Sequence, residues 1–341
     1  MKKLSICIST LNRAKFIDKT INNILPQLSN EVELIVVDGA STDNTELKLK
    51  KLQKKTKYLK YFKEEKNSGV DGDYDKAIKY ARGEYCWLMT DDDLVHKDAV
   101  NNIISKINEN NPNLIIINSA IKNLQMNKYL DKNILKFDKD QIFENVDKNF
   151  FLKLCKYLTF IGCVVIKRKV WLSRDRKIFF GTTFIHVGVI LQSPPLKKII
   201  VISKPLINIR YGNAMWSSNS FKVWNLMWPS LVWSFPNFNE KDKEKICRKE
   251  PYLRLSTLAY YRAMGTTSFN SLKKLNLEKL NLSFKLKFYF INLIPGTVLN
   301  LLFLIYFKNF RSYEKVAIFE LIHSRYSNKF NLLLSKMLSF N

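Results

Sequence analysis

Short apolar runs, each closed by a polar turn, recur through the first third of the chain. Leu4 to Ser9 reads as a buried strand and leads into the turn Thr10-Leu11-Asn12-Arg13. Phe16, Ile17, Ile21, Ile24 and Leu25 then fall at helical spacing, with Pro26 at the helix end. Glu31 to Val37 is a second strand, ending at Asp38-Gly39-Ala40-Ser41-Thr42-Asp43, where Ser41 or Thr42 suits a helix N-cap. A lysine-rich helix follows, to about Lys55, and Tyr58 to Phe62 is a third strand. Asn67-Ser68-Gly69-Val70-Asp71 precedes a helix from about Asp73 to Ala81, closed by Gly83. Tyr85 to Thr90 is a fourth strand, Lys97 to Asn108 a helix and Leu114 to Asn118 a fifth strand. This alternation predicts an α/β fold with a doubly wound, mostly parallel sheet. The turns at Thr10, Asp38, Asn67–Gly69 and Asp91 would gather at one edge. The chain has neither GxGxxG nor GxxxxGK[ST], so no dinucleotide fingerprint or P-loop is supported.

The fourth strand runs straight into Asp91, Asp92 and Asp93. Three adjacent carboxylates repel one another, and burying them unpaired is costly. A divalent cation removes that cost; hard oxygen ligands suit Mg²⁺ or Mn²⁺, which in turn bind phosphate oxygens. The alternative is a solvated acidic turn capping the next helix.

Four segments together carry a resemblance: Ser9-Thr10-Leu11-Asn12-Arg13, Val36-Val37-Asp38-Gly39-Ala40-Ser41-Thr42-Asp43, Asn67-Ser68-Gly69, and Ala81-Arg82-Gly83-Glu84-Tyr85 followed by the Asp triplet. In order and spacing they are similar to family 2 glycosyltransferases with the GT-A fold. The resemblance implies transfer of a sugar from a nucleoside-diphosphate sugar. It puts Thr10 and Asn12 where the first strand meets the nucleotide, Asp38 at the base, and Asn67, Gly69 and Asp71 along the nucleotide. The family's acidic motif commonly reads Asp-x-Asp-Asp; Thr90 replaces its first carboxylate here. On that alignment Asp92, with Asp93, takes the metal and Asp91 lies near the ribose, whereas strict strand alternation would put Asp91 and Asp93 on one side.

The middle of the chain is expected to face the acceptor. Leu158 to Lys167 reads as a strand, followed later by Gly181-Thr182-Thr183-Phe184-Ile185-His186. Inverting members of the family usually carry an acidic base in this region, and no Glu-Asp pair appears. His186 is the candidate base or a further metal ligand; the alternative is a histidine packed between Phe184 and Val189. Asp175 is a second candidate base. Arg210, Asn213 and Trp216 lie in a segment rich in aromatics and amides, suited to stacking on sugars and reading hydroxyls, and Arg210 or Lys222 suits a diphosphate. This segment resembles abequosyltransferase-like members, which act on a lipid-linked O-antigen unit in lipopolysaccharide biosynthesis.

Charge and composition extend the picture. The chain has 341 residues, 46% of them hydrophobic, and a formal net charge of +26. It is therefore globular, with an anionic partner. The five scattered cysteines show no ligand spacing and fit a reducing cytosol. Residues 1–235 are assigned to the catalytic domain and 236–341 to a mainly helical, basic region. Within the latter, 285–308 is apolar, is broken by Pro295-Gly296 and has Lys285, Lys287, Lys308 and Arg311 at or near its ends. Bent interfacial helices on an anionic leaflet are favoured over a buried hairpin, and that over a spanning helix. The expected protein is a peripheral enzyme on the inner face of the plasma membrane. It takes a nucleotide-sugar donor and a lipid-linked or oligosaccharide acceptor, and binds no nucleic acid. A sugar nucleotidyltransferase is the first rival, but Thr10-Leu11-Asn12-Arg13 is a poor phosphate loop. A basic nucleic-acid-binding protein is the second, but the lysines are spread along the whole chain rather than along one groove.

Overall fold

The computed structural model describes residues 2–213, 219–274, 278, 280–329 and 333. The expected alternation is present: β1 (Leu4–Thr10), α1 (Ile17–Ile24), β2 (Val32–Asp38), α2 (Thr45–Gln53), β3 (Leu59–Lys63), α3 (Gly69–Tyr80), β4 (Tyr85–Met89), β5 (Leu94–Val95), α4 (Ala99–Asn110) and β6 (Leu114–Lys122). β1, β2 and β4 are buried along almost their whole length. Strands covered on both faces have no solvent side, so they read as apolar runs rather than alternating ones. Then come β7 (Tyr129–Asp131), β8 (Gln141–Asn145), α5 (Lys148–Leu154), β9 (Val164–Lys167), α6 (Arg168–Ser173), α7 (Ile185–Leu191) and β10 (Lys197–Arg210).

The ten strands form one sheet, ordered β3-β2-β1-β4-β9-β6-β10-β5, with β7 on β6 and β8 on β10. β3, β2, β1 and β4 are mutually parallel, as are β6 and β10. The remaining pairings are antiparallel, including β9 against both β4 and β6. The expectation of a mostly parallel sheet therefore holds for the first half, and the whole sheet is mixed. A second difference lies at 158–167, where only Val164–Lys167 is strand; two short 3₁₀ turns precede it. Trp87 Nε1 donates to the Gly162 carbonyl at 2.8 Å, and a Cβ on Gly162 would stand 2.4 Å from the Phe160 ring. The turn thus depends on glycine at that position.

The chain divides into two compact units that interleave, unlike the single cut expected at 235/236. Residues to Tyr211 with Ser234–Ile246 form the first; Gly212–Trp233 with the chain from Cys247 form the second. The core of the first gathers both sheet faces, including Ile6, Ile8, Trp87, Ile117, Val165 and Ile200. Among its described residues the second unit has no strand. Its helices, including Leu255–Ala263, Leu282–Leu293, Gly296–Phe310 and Lys315–Ile322, enclose Leu258, Phe284, Phe288, Leu304 and Ile318. The Asn300 amide donates to the carbonyls of Ala263 and Leu321, tying three of these helices together. No single described helix is long and apolar enough to cross a membrane. Leu282–Leu293 and Gly296–Phe310 are apolar enough only as a pair, bent by 91°.

Candidate active site

Parallel register decides where the turns emerge. Thr10 pairs with Asp38 across β1 and β2, and Ile8 with Met89 across β1 and β4, so the turns after these strands leave the sheet at one edge. The first two are stitched together. Asn12, exposed and at φ +53°, accepts the N–H groups of Thr42 (2.8 Å) and Asp43 (3.3 Å) on Oδ1, while its own N–H donates to Ser41 Oγ at 2.8 Å. The Gly39 N–H donates to the Thr10 carbonyl at 2.9 Å. The third turn abuts them: a Cβ on Gly39 would stand 2.5 Å from Asp73 Oδ2. Ser68 donates to Asp73 at 2.6 Å, and Asn67 Oδ1 accepts the Gly69 N–H at 2.7 Å. Gly69, at φ +75°, is exposed with open space where a side chain would stand. The structure therefore brings Thr10, Asn12, Asn67 and Gly69 to one edge.

Two residues assigned to the nucleotide face inward instead. Asp38 is 0% exposed; Oδ1 accepts the Ser41 N–H and Oδ2 the Tyr61 hydroxyl, both at 2.8 Å. It braces the loop from beneath. Asp71 is buried on α3 and accepts the N–H groups of Thr183 (2.8 Å) and Ile185 (3.0 Å), capping the start of α7. Burial raises its pKa, and the amides it accepts from act in the opposite direction.

The acidic triplet follows neither simple pattern, because β4 ends at Met89 and strand alternation no longer directs the carboxylates. Asp91 and Asp92 share Arg13: Nε lies 3.1 Å from Asp91 Oδ1, and Nη2 bonds Asp92 Oδ2. Arg13 is only 7% exposed. The Thr10 hydroxyl is buried beside Asp91. Asp93 turns into the fold. Its Oδ2 accepts the Thr90 hydroxyl at 2.5 Å, its Oδ1 the Arg210 N–H at 2.6 Å, and its carbonyl the Thr20 hydroxyl at 3.0 Å. Asp93, expected as a metal ligand, is thus a buried strut, put against Arg210 by the pairing of β5 with β10. Burial pushes Asp91 up to about 6, with Arg13 pulling it down and Asp92 pushing it further up. Burial, and then Asp92, raises Asp93 well above the carboxylate range.

Arg210 closes the other side. Its Nε donates to the Asp92 carbonyl at 2.8 Å and its Nη1 to the Leu124 carbonyl at 2.7 Å. The guanidinium groups of Arg13 and Arg210 both lie over the Phe16 ring, at 4.9 and 5.3 Å. Lys15, Phe16, Lys19, Leu124, Gln125 and Arg210 line a cleft of about 340 Å³ here. Asn213 is half-buried at the start of the second unit, and Trp216 lies outside the described residues.

Neither candidate base stands open to this edge. His186 is 1% exposed, its Nε2 donating to the Leu158 carbonyl at 2.7 Å, and burial pushes its pKa down to about 4. It is a neutral packing histidine. Asp175 is exposed, but its N–H and carbonyl are bonded to the Gln192 side chain at the far end of α7, some 10 Å along the helix from the Asp71 cap.

No group of three or more His, Cys, Asp or Glu side chains suited to a metal forms among the described residues. At the end of β4, Asp91 and Asp92 offer hard oxygens of the kind that Mg²⁺ or Mn²⁺ takes. That donor set fits the ion in the manner usual for nucleotide sites, where one or two carboxylates are completed by phosphate oxygens and water. Sequence reasoning missed Arg13. The signal available was a cation in the first turn and a surplus of carboxylates at the end of β4, but their meeting depends on strand order.

A mixed α/β sheet with polar turns and a carboxylate pair gathered at one edge is the GT-A architecture. Residues 5–169 match the family described as glycosyl transferase family 2, and this stretch, just under half of the chain, is a glycosyltransferase domain of that family. An abequosyltransferase, RfbV, of Salmonella typhimurium is 24% identical over 225 residues, which cover 62% of this chain and 67% of that one. A GalNAc(5)-diNAcBac-PP-undecaprenol β-1,3-glucosyltransferase of Campylobacter jejuni is 33% identical over 110 residues, which cover 32% of this chain but only 36% of that one. Among solved structures, the mannosyltransferase PcManGT of Pyrobaculum calidifontis, in complex with GDP-Man and Mn²⁺, superposes with a TM-score of 0.54. It is 16% identical, and the match covers 94% of this chain and 85% of that one.

Proposed function

We propose that this enzyme moves a sugar from a nucleoside-diphosphate sugar to a hydroxyl of a cell-surface glycan precursor, with Asp91 and Asp92 as the donor-binding carboxylates. The observation that carries the reading is the meeting of the Thr10–Arg13, Gly39–Asp43 and Asn67–Gly69 turns beside that pair. Sugar departure builds negative charge on the β-phosphate, so a site that stabilises that charge lowers the barrier. A bound Mg²⁺ or Mn²⁺, held by Asp92 and Asp91, supplies Lewis-acid stabilisation of the leaving diphosphate. Arg13 stands within the same carboxylate shell and adds a fixed positive charge. A diphosphate-linked lipid acceptor is supported by the name of the Campylobacter relative and by the basic cleft at Lys15, Lys19 and Arg210. The test is a nucleotide-sugar panel with Mn²⁺, scored for the nucleotide released. Nucleoside diphosphate is expected, and Asp92→Ala should reduce transfer by at least about a hundredfold in a variant shown by circular dichroism to be folded. Release of pyrophosphate instead would identify a nucleotidyltransferase, and transfer at the normal rate by Asp92→Ala would remove Asp92 from the chemistry.

The proposal extends to an anionic membrane surface at the cytoplasmic face, reached through the second unit. Leu286, Phe290, Leu293, Leu302, Tyr306 and Phe310 stand exposed at helical spacing on Leu282–Leu293 and Gly296–Phe310. Lys287, Lys308 and Arg311 are exposed around them, and Lys285 is half-buried. Exposed apolar stripes flanked by lysines and arginines suit helices lying in the headgroup region of an anionic leaflet.

A further inference from the structure

We infer that Arg13 stands in for the cation at the Asp91–Asp92 pair and releases Asp92 only when metal and nucleotide diphosphate arrive together. The inference rests on the donor-site reading above and adds a rule for its loading.

Asp92 Oδ2 is bonded to Arg13 Nη2, while Nε of the same guanidinium holds Asp91 Oδ1. One planar group therefore spans both carboxylates, a task suited to the arginine fork. Its position is fixed from three directions. The Arg13 N–H donates to Thr45 Oγ1 at 2.9 Å, the Phe16 ring lies 4.9 Å from the guanidinium, and the side chain is almost wholly buried. A divalent ion binding to the same carboxylates meets a permanent positive charge already seated there. Metal alone must displace Arg13 and leave a buried guanidinium without its counter-charges, which is unfavourable. A nucleoside diphosphate changes the balance. Its phosphate oxygens complete the coordination of the ion and give the guanidinium a new bidentate anionic partner. Each ligand then makes room for the other, and the coupling must be equal in both directions.

The experiment measures Mn²⁺ binding to the full-length protein through the electron paramagnetic resonance signal of free Mn²⁺, with and without UDP or GDP. Wild type is expected to bind Mn²⁺ weakly alone and at least tenfold more tightly with the preferred nucleotide. Arg13→Met should bind Mn²⁺ alone at least tenfold more tightly than wild type, and the gain on adding nucleotide should shrink. Arg13→Lys keeps the charge but not the fork, so it should show a smaller gain in the same direction; it carries the test if the Met variant does not fold. Equal or weaker Mn²⁺ binding in a folded Arg13 variant, alongside nucleotide-dependent binding in wild type, overturns the inference and leaves the donor site standing. Wild type that binds no Mn²⁺ with either nucleotide overturns both.

Discussion

At the scale of single residues, the site is built by charges that find partners far away in sequence. Asp91 to Asp93 are visible as a triplet, but their roles are set by Arg13, 78 and 79 residues earlier, and by Arg210, 117 residues after Asp93. Composition could not divide one buried strut from the two carboxylates that share Arg13. His186 shows the opposite error. Its chemistry suits a base near neutrality, yet burial, invisible in the local sequence, keeps it neutral. The consequence for stability has a definite sign. The unfolded chain takes up the proton near pH 6.5, while the native ring resists until about pH 4. His186 therefore costs nothing above pH 6.5, and stability falls as the pH drops from there toward 4, by an amount on the order of 3 kcal/mol. His186→Gln should flatten that part of the urea midpoint against pH between 7 and 4.5. A variant whose acid sensitivity matches wild type would assign the loss to other groups. Transfer activity should also show no step from His186 titration near pH 6.5.

At the scale of elements, the first third was legible because each strand is a short apolar run with a polar stop. β1, α1, β2, α2, β3, α3, β4, α4 and the start of β6 all appear within a few residues of their expected spans. Beyond them the signal fades for identifiable reasons. α7, Ile-His-Val-Gly-Val-Ile-Leu, is buried on every side, so it has no polar face to reveal a helical period. β10 is interrupted by a register shift between Ile202 and Ile207, around Pro205, which hides fourteen residues of strand. The start of α7 is held by Asp71 from another helix, a cap that local sequence cannot show. Asp71→Ala leaves one buried and one partly buried amide without this acceptor and should cost about 1–3 kcal/mol. Hydrogen exchange at Thr183 and Ile185 should accelerate more than at β1 amides. Uniform acceleration across the protein would mean that the cap acts only on global stability.

At the scale of the whole molecule, the proposed membrane contact of the second unit rests on its exposed apolar stripes and is open to a direct test. Replacing Leu286, Phe290, Leu302 and Tyr306 with serine should abolish most co-sedimentation with phosphatidylglycerol vesicles while leaving nucleotide binding intact. Binding to neutral vesicles should be weaker in all forms, and undiminished sedimentation of the quadruple variant would clear this face of the role. The sheet order also fixes a sequence of events during synthesis. The ribosome delivers the Asp triplet early, but β9 must be inserted between β4 and β6, and Arg210 is delivered only at the end of β10. Until then Asp93 lacks its main-chain partner, so a nascent chain stalled before that point carries an acidic edge that is not yet assembled and depends on chaperones or solvent to shield it.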